Sequence, residues 1–162
     1  MKDRIQRVVI DGQSSAWSKV KAGVPQGTNL GPLLFLVFIN DIVHVVENCK
    51  IRLFADDTCL FIEIEDAATT QQKVNDDLSN IQTWANGWLV KFSAPKTKSL
   101  TISNKQNSQS PQNIVLDGVK VKEVDSHKHL GVTLSKDLRW TKHIQDIELT
   151  ANKRLNVLKF YK

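Results

Sequence analysis

The sequence predicts an α+β fold, and three observations carry that expectation. Short apolar and β-branched runs flank polar turns, at Ile51–Phe54 and Cys59–Ile62 and again at Ile114–Leu116 and Val119–Val121, which is the pattern of β-hairpins. Val74, Leu78, Ile81, Trp84 and Trp88 recur at steps of three and four, an amphipathic helical stripe. Leu33–Ile39, continued by Ile42, Val43, Val45 and Val46, is apolar almost all round and reads as a buried helix. The expected architecture is a small antiparallel sheet carrying an acidic hairpin, two helices packed on one face of it, and a partial basic helix at the end. With 162 residues the chain has the material for about one domain with a real core.

Taken in order, Arg4–Ile10 alternates polar residues with Ile5 and Val8-Val9, meets Asp11-Gly12 and is followed by Trp17–Val20. This predicts an edge ribbon with an Asp-Gly turn. Gly23–Pro32 then packs three glycines and two prolines into ten residues. Such a loop can bring backbone N–H groups close to a ligand. Either Asn29 caps the helix that follows, or Gly31 does with Pro32 at the first helical position, and the helix dipole favours anions at that end. The second helix is expected to keep Trp84 and Trp88 in the core, to leave Asp76 and Asp77 solvated, and to break near Asn86-Gly87. Lys91–Lys98 reads as a basic loop, Ser99–Ser103 as a short strand and Asn104–Asn113 as a polar surface loop. Asp117-Gly118 predicts a tight hairpin, and His129–Leu134 a further strand. From Trp140 onward Ile144, Ile147, Ala151, Leu155 and Leu158 mark a basic amphipathic helix. It runs to Lys162 without a cap signal, the pattern expected of a chain that continues in a larger protein.

Composition narrows the function. The two cysteines, Cys49 and Cys59, are too few for a disulfide framework and lack metal-ligand spacing. Reduced, partly buried thiols are expected, which suits an intracellular protein, nuclear or cytoplasmic. The N-terminus shows no signal-peptide core, and the longest apolar run is too short to span a bilayer. Residues 1–85 carry 8 basic and 11 acidic side chains, whereas residues 86–162 carry 14 basic and 6 acidic. A basic C-terminal half favours a polyanionic partner over a merely solvated surface.

Two adjacent carboxylates, Asp56 and Asp57, sit at the tip of the hairpin in Leu53–Cys59. Hairpin turns favour Gly because they need φ > 0, and none is present. A solvated turn is the plain reading of any Asp-Asp pair. The alternative is a site for a hard divalent cation, which binds through one or two carboxylates plus substrate phosphates.

The stretches Gly23–Phe35, Ile39–Ile42 and Phe54–Thr58 resemble, in order and spacing, the reverse transcriptase of non-LTR (LINE-type) retrotransposons. They are similar to its motif B loop, long palm helix and catalytic hairpin. Trp84–Thr97 looks like the palm helix and motif D, and His129–Val132 with Leu138–Trp140 like the primer grip and the start of the thumb. The likeness covers nearly the whole chain. It implies a polymerase palm fragment over 1–104 and primer-grip hairpins with a truncated thumb helix over 105–162. It also implies RNA-directed DNA synthesis, in which a primer 3′-hydroxyl attacks the α-phosphate of a dNTP opposite an RNA template. Two metal ions, Mg²⁺ or Mn²⁺, sit about 4 Å apart in such enzymes. By this resemblance Asp56 is the principal metal ligand and Asp57 the supporting one. Phe54 packs beneath the primer terminus. Pro25, Gln26 and Gly27 line the nascent base pair and template. Lys96, with Lys98 as competitor, supports proton delivery to pyrophosphate, and Leu130-Gly131 with the last helix touches the primer backbone. Ser93 stands where the family usually has Asn.

The resemblance also implies a third carboxylate, upstream of the Gly-rich loop. Asp3 and Asp11 read as ribbon and turn residues, and Asp41 as a structural or capping residue. The expectation is therefore an incomplete site, inactive in this chain alone and completed by an upstream part of the same polyprotein that also supplies the fingers. A remnant that only binds nucleic acid through its basic half is the alternative. A metal-dependent nuclease would need further acidic residues converging on the hairpin.

Overall fold

The computed structural model describes residues 3–20, 23, 27–103 and 110–160. Pro25 and Gln26 lie outside the described residues. Among the described residues the fold mixes three α-helices with short strands, as the sequence predicts. The chain divides into two compact units, residues 1–41 with 53–58, and residues 42–52 with 59–162.

The first unit begins with an interrupted antiparallel ribbon. Strand β1 (Ile5–Gln6) pairs with β4 (Ser18–Lys19), and β2 (Val9–Ile10) with β3 (Gln13–Ser14). Asp11 and Gly12 form the turn with φ of 48° and 80°, the type I′ pattern expected of Asp-Gly. Between the two pairings the Ser15 hydroxyl accepts from Val8 N–H at 3.0 Å, and the Arg7 guanidinium lies 4.8 Å over the Trp17 ring. Helix α1 (Leu30–Ile39) follows the Gly-rich loop. Asn29 occupies the cap position but makes no side-chain cap; the Thr28 hydroxyl does so instead, accepting from Gly31 N–H at 3.1 Å. The expectation of a buried helix is not met. Leu30, Leu33, Leu36 and Val37 are exposed, and only Gly31 and Ile39 are buried. Apolar composition is a demand for cover, and no described segment supplies it along most of this helix. At Asn40 the helix tightens into a 3₁₀ segment, Asn40–Val45, which carries Asp41 in its first turn.

The second unit is built on helix α2 (Ala67–Trp88). Asp66 caps it, its carboxylate accepting from Thr69 N–H at 2.8 Å. Leu89 ends it in the left-handed conformation, φ 58°. The apolar stripe holds for Leu78, Ile81 and Trp84, but Trp88 is 47% exposed and lies beside Trp84 at 6.2 Å rather than in the core. Leu78 packs with Ala94, Leu116 and Val121, flanked by Leu60, Val74, Phe92 and Ile114. Strand β8 (Val115–Leu116) lies along α2 and pairs with β9 (Val119–Lys120) around Asp117-Gly118. Helix and strand are stitched by amides: Asn75 Oδ1 accepts from Val115 N–H at 3.0 Å, and Gln71 Oε1 from Asn113 N–H at 2.8 Å. The predicted strand Ser99–Ser103 is reduced to β7 (Lys98–Ser99), which pairs in parallel with β10 (Lys122–Glu123). The single small sheet is not formed either. The described strands make two-stranded ribbons, and of these β8 packs on α2 while the N-terminal ribbon strands are exposed.

Asp77 departs most from expectation. It is fully buried, not solvated. Its position is on the buried face, seven residues after Thr70, four before Ile81 and seven before Trp84, spacings that share one side of a helix. The carboxylate gathers three successive backbone amides. Glu47 N–H donates to Oδ1 at 3.0 Å, Asn48 N–H to Oδ2 at 3.1 Å and Cys49 N–H to Oδ2 at 2.6 Å, while Asn48 Nδ2 adds a bond to Oδ1 at 3.1 Å. Burial alone would raise its pKa. The bonds from Glu47, from the Cys49 amide and thiol and from Asn48 outweigh that and hold it below the ordinary value. Cys49 responds oppositely: burial, followed by its bond to Asp77 and the nearby negative charge, pushes its thiol up to about 12.

Because Asp77 ionises more readily folded than unfolded, its ionisation favours the folded state. That stability is fully present above the ordinary carboxylate value of 3.8 and is lost as pH falls through the lower folded value. Asp77→Ala should therefore cost about 3 kcal/mol at pH 7, read as a fall in the urea midpoint. The gap from wild type should narrow in acid below the ordinary carboxylate range. An unchanged midpoint at pH 7 would show that the clamp does not contribute.

Candidate active-site hairpin

The acidic hairpin is formed by β5 (Lys50–Phe54) and β6 (Asp57–Phe61), which are hydrogen-bonded neighbours. β5 starts one residue after the segment held by Asp77. Alternation along β5 leaves Ile51 and Leu53 half-buried and Lys50, Arg52 and Phe54 exposed. The Arg52 guanidinium lies 5.6 Å over the Phe61 ring. The turn proper is Ala55-Asp56, so Asp57 is already the first strand residue rather than part of the turn.

Ala55 has φ 51° and Asp56 does not share a positive φ. Positive φ at the first central residue alone is the type II′ pattern, which prefers Gly there. Ala55 thus holds a left-handed conformation that costs an alanine about 1 kcal/mol. The tip is strained where the two carboxylates project. Asp56, Asp57 and Phe54 are all exposed, Phe54 at 62%. Among the described residues no cation pairs with Asp56 or Asp57. Two adjacent, unpaired, exposed carboxylates fit a Mg²⁺ or Mn²⁺ ion that completes its shell with water and substrate phosphate. Among the described residues no cluster of three or more acidic, His or Cys side chains could hold a metal ion. Asp11 is in its turn, Asp3 has φ 59°, and Asp41 sits on the 3₁₀ segment. Cys59 on β6 is a free thiol whose pKa burial raises, so it stays protonated and is a poor metal ligand.

The other expected residues lie in separate places. Gly27 has φ 78° and is exposed just before Thr28. Lys96 is exposed on a turn closed by the Ser93 carbonyl, which accepts from Lys96 N–H and Thr97 N–H, both at 3.0 Å. These bonds use the backbone of residue 93, so Ser can stand there in place of Asn. Lys98 is turned back into the loop, its Nζ donating to Pro95 O at 2.8 Å.

Leu130 and Gly131 are not inside a strand. They are the two-residue turn between β11 (Ser126–His129) and β12 (Val132–Ser135). Their φ values are 47° and 88°. Gly131 takes the second without penalty, whereas a leucine in this region is a genuine outlier. Leu130 is 50% exposed, a strained apolar tip. Helix α3 (Thr141–Phe160) follows and packs on β12. Sequence reasoning missed Asp77, Thr133, His143 and Asp146. Asp77 could have been found from its spacing to Ile81 and Trp84; the others carry no local signal.

Comparison with known proteins identifies the family. The reverse transcriptase (RNA-dependent DNA polymerase) family matches residues 1–134. The RNA-directed DNA polymerase from mobile element jockey of Drosophila melanogaster is 30% identical over 155 residues, covering 91% of this chain and 17% of the relative. Proteins of transposon X-element and transposon BS from the same fly are 29% and 28% identical, over 88% and 99% of this chain and 16% and 18% of theirs. No solved structure gives a significant match. The chain belongs to the reverse transcriptase family, among the enzymes of LINE-type retrotransposons. It spans about a sixth of the length of these relatives.

The strain at Ala55 has a measurable consequence. Ala55→Gly should raise unfolding free energy by about 0.5–1 kcal/mol, because Gly adopts this φ freely. The urea midpoint measures it, and a lowered midpoint would show that the turn carries no such strain.

Proposed function

We infer that this chain is the part of an RNA-directed DNA polymerase that carries the catalytic hairpin and holds the primer. Residues 1–104 are the palm portion and 105–162 the primer grip with the first thumb helix. The observation that carries the reading is the strained, exposed and unpaired Asp56-Asp57 tip in a chain of this family.

Asp56 and Asp57 would hold divalent metal, Asp56 as principal ligand. When bound, two such ions neutralise charge on the transferring phosphoryl group and favour the attacking and leaving oxygens. The remaining roles belong to side chains of this chain. Phe54, exposed one residue before the turn, offers an apolar face to the primer terminus. Gly27, with Pro25 and Gln26, lines the nascent base pair and template. Lys96 is the better donor toward departing pyrophosphate, since the Lys98 ammonium is occupied by the Pro95 carbonyl. Leu130-Gly131 and the basic side of α3 meet the primer backbone. Two carboxylates alone give a weak metal site, so the 162-residue chain binds RNA–DNA hybrid without extending it, and upstream sequence of the same polyprotein would complete the catalyst. The partners are RNA template, DNA primer and dNTP. Among the described residues no helix is long and apolar enough to cross a membrane.

Primer extension on poly(rA)/oligo(dT) with Mg²⁺ or Mn²⁺, paired with hybrid binding across a salt series, tests this. The chain should bind with affinity that falls as salt rises, incorporate no nucleotide, and keep its binding in Asp56→Asn. Incorporation that disappears in Asp56→Asn would contradict the incompleteness of the site. Absence of salt-dependent binding would contradict the polymerase reading and the binding-only alternative together.

A further inference from the structure

Thr133 is one of the few polar residues that the fold buries, at 5% exposure, and both of its donors are spent on α3. Its hydroxyl donates to Asp146 Oδ2 at 2.8 Å and its backbone N–H to His143 Nδ1 at 3.3 Å. Ladder geometry explains why the amide is available. His129 faces Val132 across the two-residue turn, and Lys128 faces Thr133. Hydrogen-bonded and non-hydrogen-bonded pairs alternate in an antiparallel ribbon. With the turn-closing pair bonded, the next pair directs its N–H groups outward, and Thr133 N–H leaves the edge of β12. His143 and Asp146, three residues apart on one face of α3, receive it and the hydroxyl.

Apolar burial does not set the angle between this hairpin and the helix. Ile144, Ile147, Leu155 and Leu158 are each 48–67% exposed. The two bonds from Thr133 sit in a groove rimmed by Lys128 of β11 and Arg154 of α3, with Gly131 at its end. The strained Leu130 tip is three residues before Thr133.

We propose that Thr133, His143 and Asp146 are positioning residues that lock the Leu130-Gly131 tip and the basic side of α3 into one arrangement, so that a nucleic-acid backbone meets both at once. The lock rests on the nucleic-acid reading above for its purpose and on the hydrogen bonds for its existence. Thr133→Val keeps shape and amide but removes the hydroxyl donor; Thr133→Ser keeps the donor. Asp146→Ala removes the acceptor and leaves Thr133 intact, which guards against a variant at 133 that fails to fold.

Spin labels at exposed positions His127 and Lys153, one on β11 and one on α3, report the angle as a distance distribution. It should be narrow in wild type and Thr133→Ser and broad in Thr133→Val and Asp146→Ala. Affinity for an RNA–DNA hybrid should fall about tenfold in the two broadened variants, with a flatter salt dependence because fewer phosphates are contacted together. Thr133→Ser should restore both. A narrow distribution in Thr133→Val and Asp146→Ala overturns the lock. Broadening without change in affinity or salt slope overturns its role in binding. A wild-type chain that binds no hybrid overturns the nucleic-acid reading itself, and the distance distributions then decide separately whether the lock exists.

Discussion

The Asp77 carboxylate gathers the amides of Glu47, Asn48 and Cys49 from within the buried face of α2. Burying a charge is unfavourable unless it is fully hydrogen-bonded. Here the bonds are numerous enough to favour ionisation despite burial. The clamp joins the longest helix to a segment that lacks regular secondary structure, and so fixes the residue from which β5 departs. Burial first, then the bond to Asp77 and its charge, keep the Cys49 thiol protonated. Below the clamp, Leu78 joins the apolar cluster with Ala94, Leu116 and Val121, so one turn of α2 supplies both the polar anchor and the apolar core.

Non-glycine residues take positive φ at several described positions, Leu89 and Leu138 among them, and at four hairpin turns. The ribbon turn at Asp11-Gly12 and the hairpin turn at Asp117-Gly118 use residues that suit positive φ. Ala55 and Leu130 do not. Such strain persists only where surrounding structure enforces it, and it gathers at functional sites. One strained tip presents two carboxylates and the other an apolar side chain. Under the proposed function the first tip would hold metal and the second would meet the primer strand.

Much of this was legible in the sequence. Alternation around Asp56-Asp57 and around Asp117-Gly118 marked both hairpins, and the spacing from Val74 to Trp84 marked α2. The charge of Asp77 suggests solvent, but its helical spacing to Ile81 and Trp84 places it inside. The Leu130-Gly131 turn was hidden by leucine, whose propensity argues for strand. Helix α1 was expected to be buried because it is apolar, but composition states what a helix needs covered, not whether a described partner covers it. The Thr133 lock depends on ladder register and on residues ten and thirteen positions away, which no local pattern encodes.

The central claim is that the hairpin tip is a divalent-metal site built from Asp56 and Asp57. Paramagnetic broadening of backbone amide signals by Mn²⁺ tests it most directly, since it needs neither substrate nor turnover. Broadening should centre on residues 54–58 in the wild-type chain and vanish there in the Asp56→Asn, Asp57→Asn double variant, with the rest of the spectrum unchanged. Broadening centred elsewhere, or persisting at the tip in the double variant, would contradict the assignment.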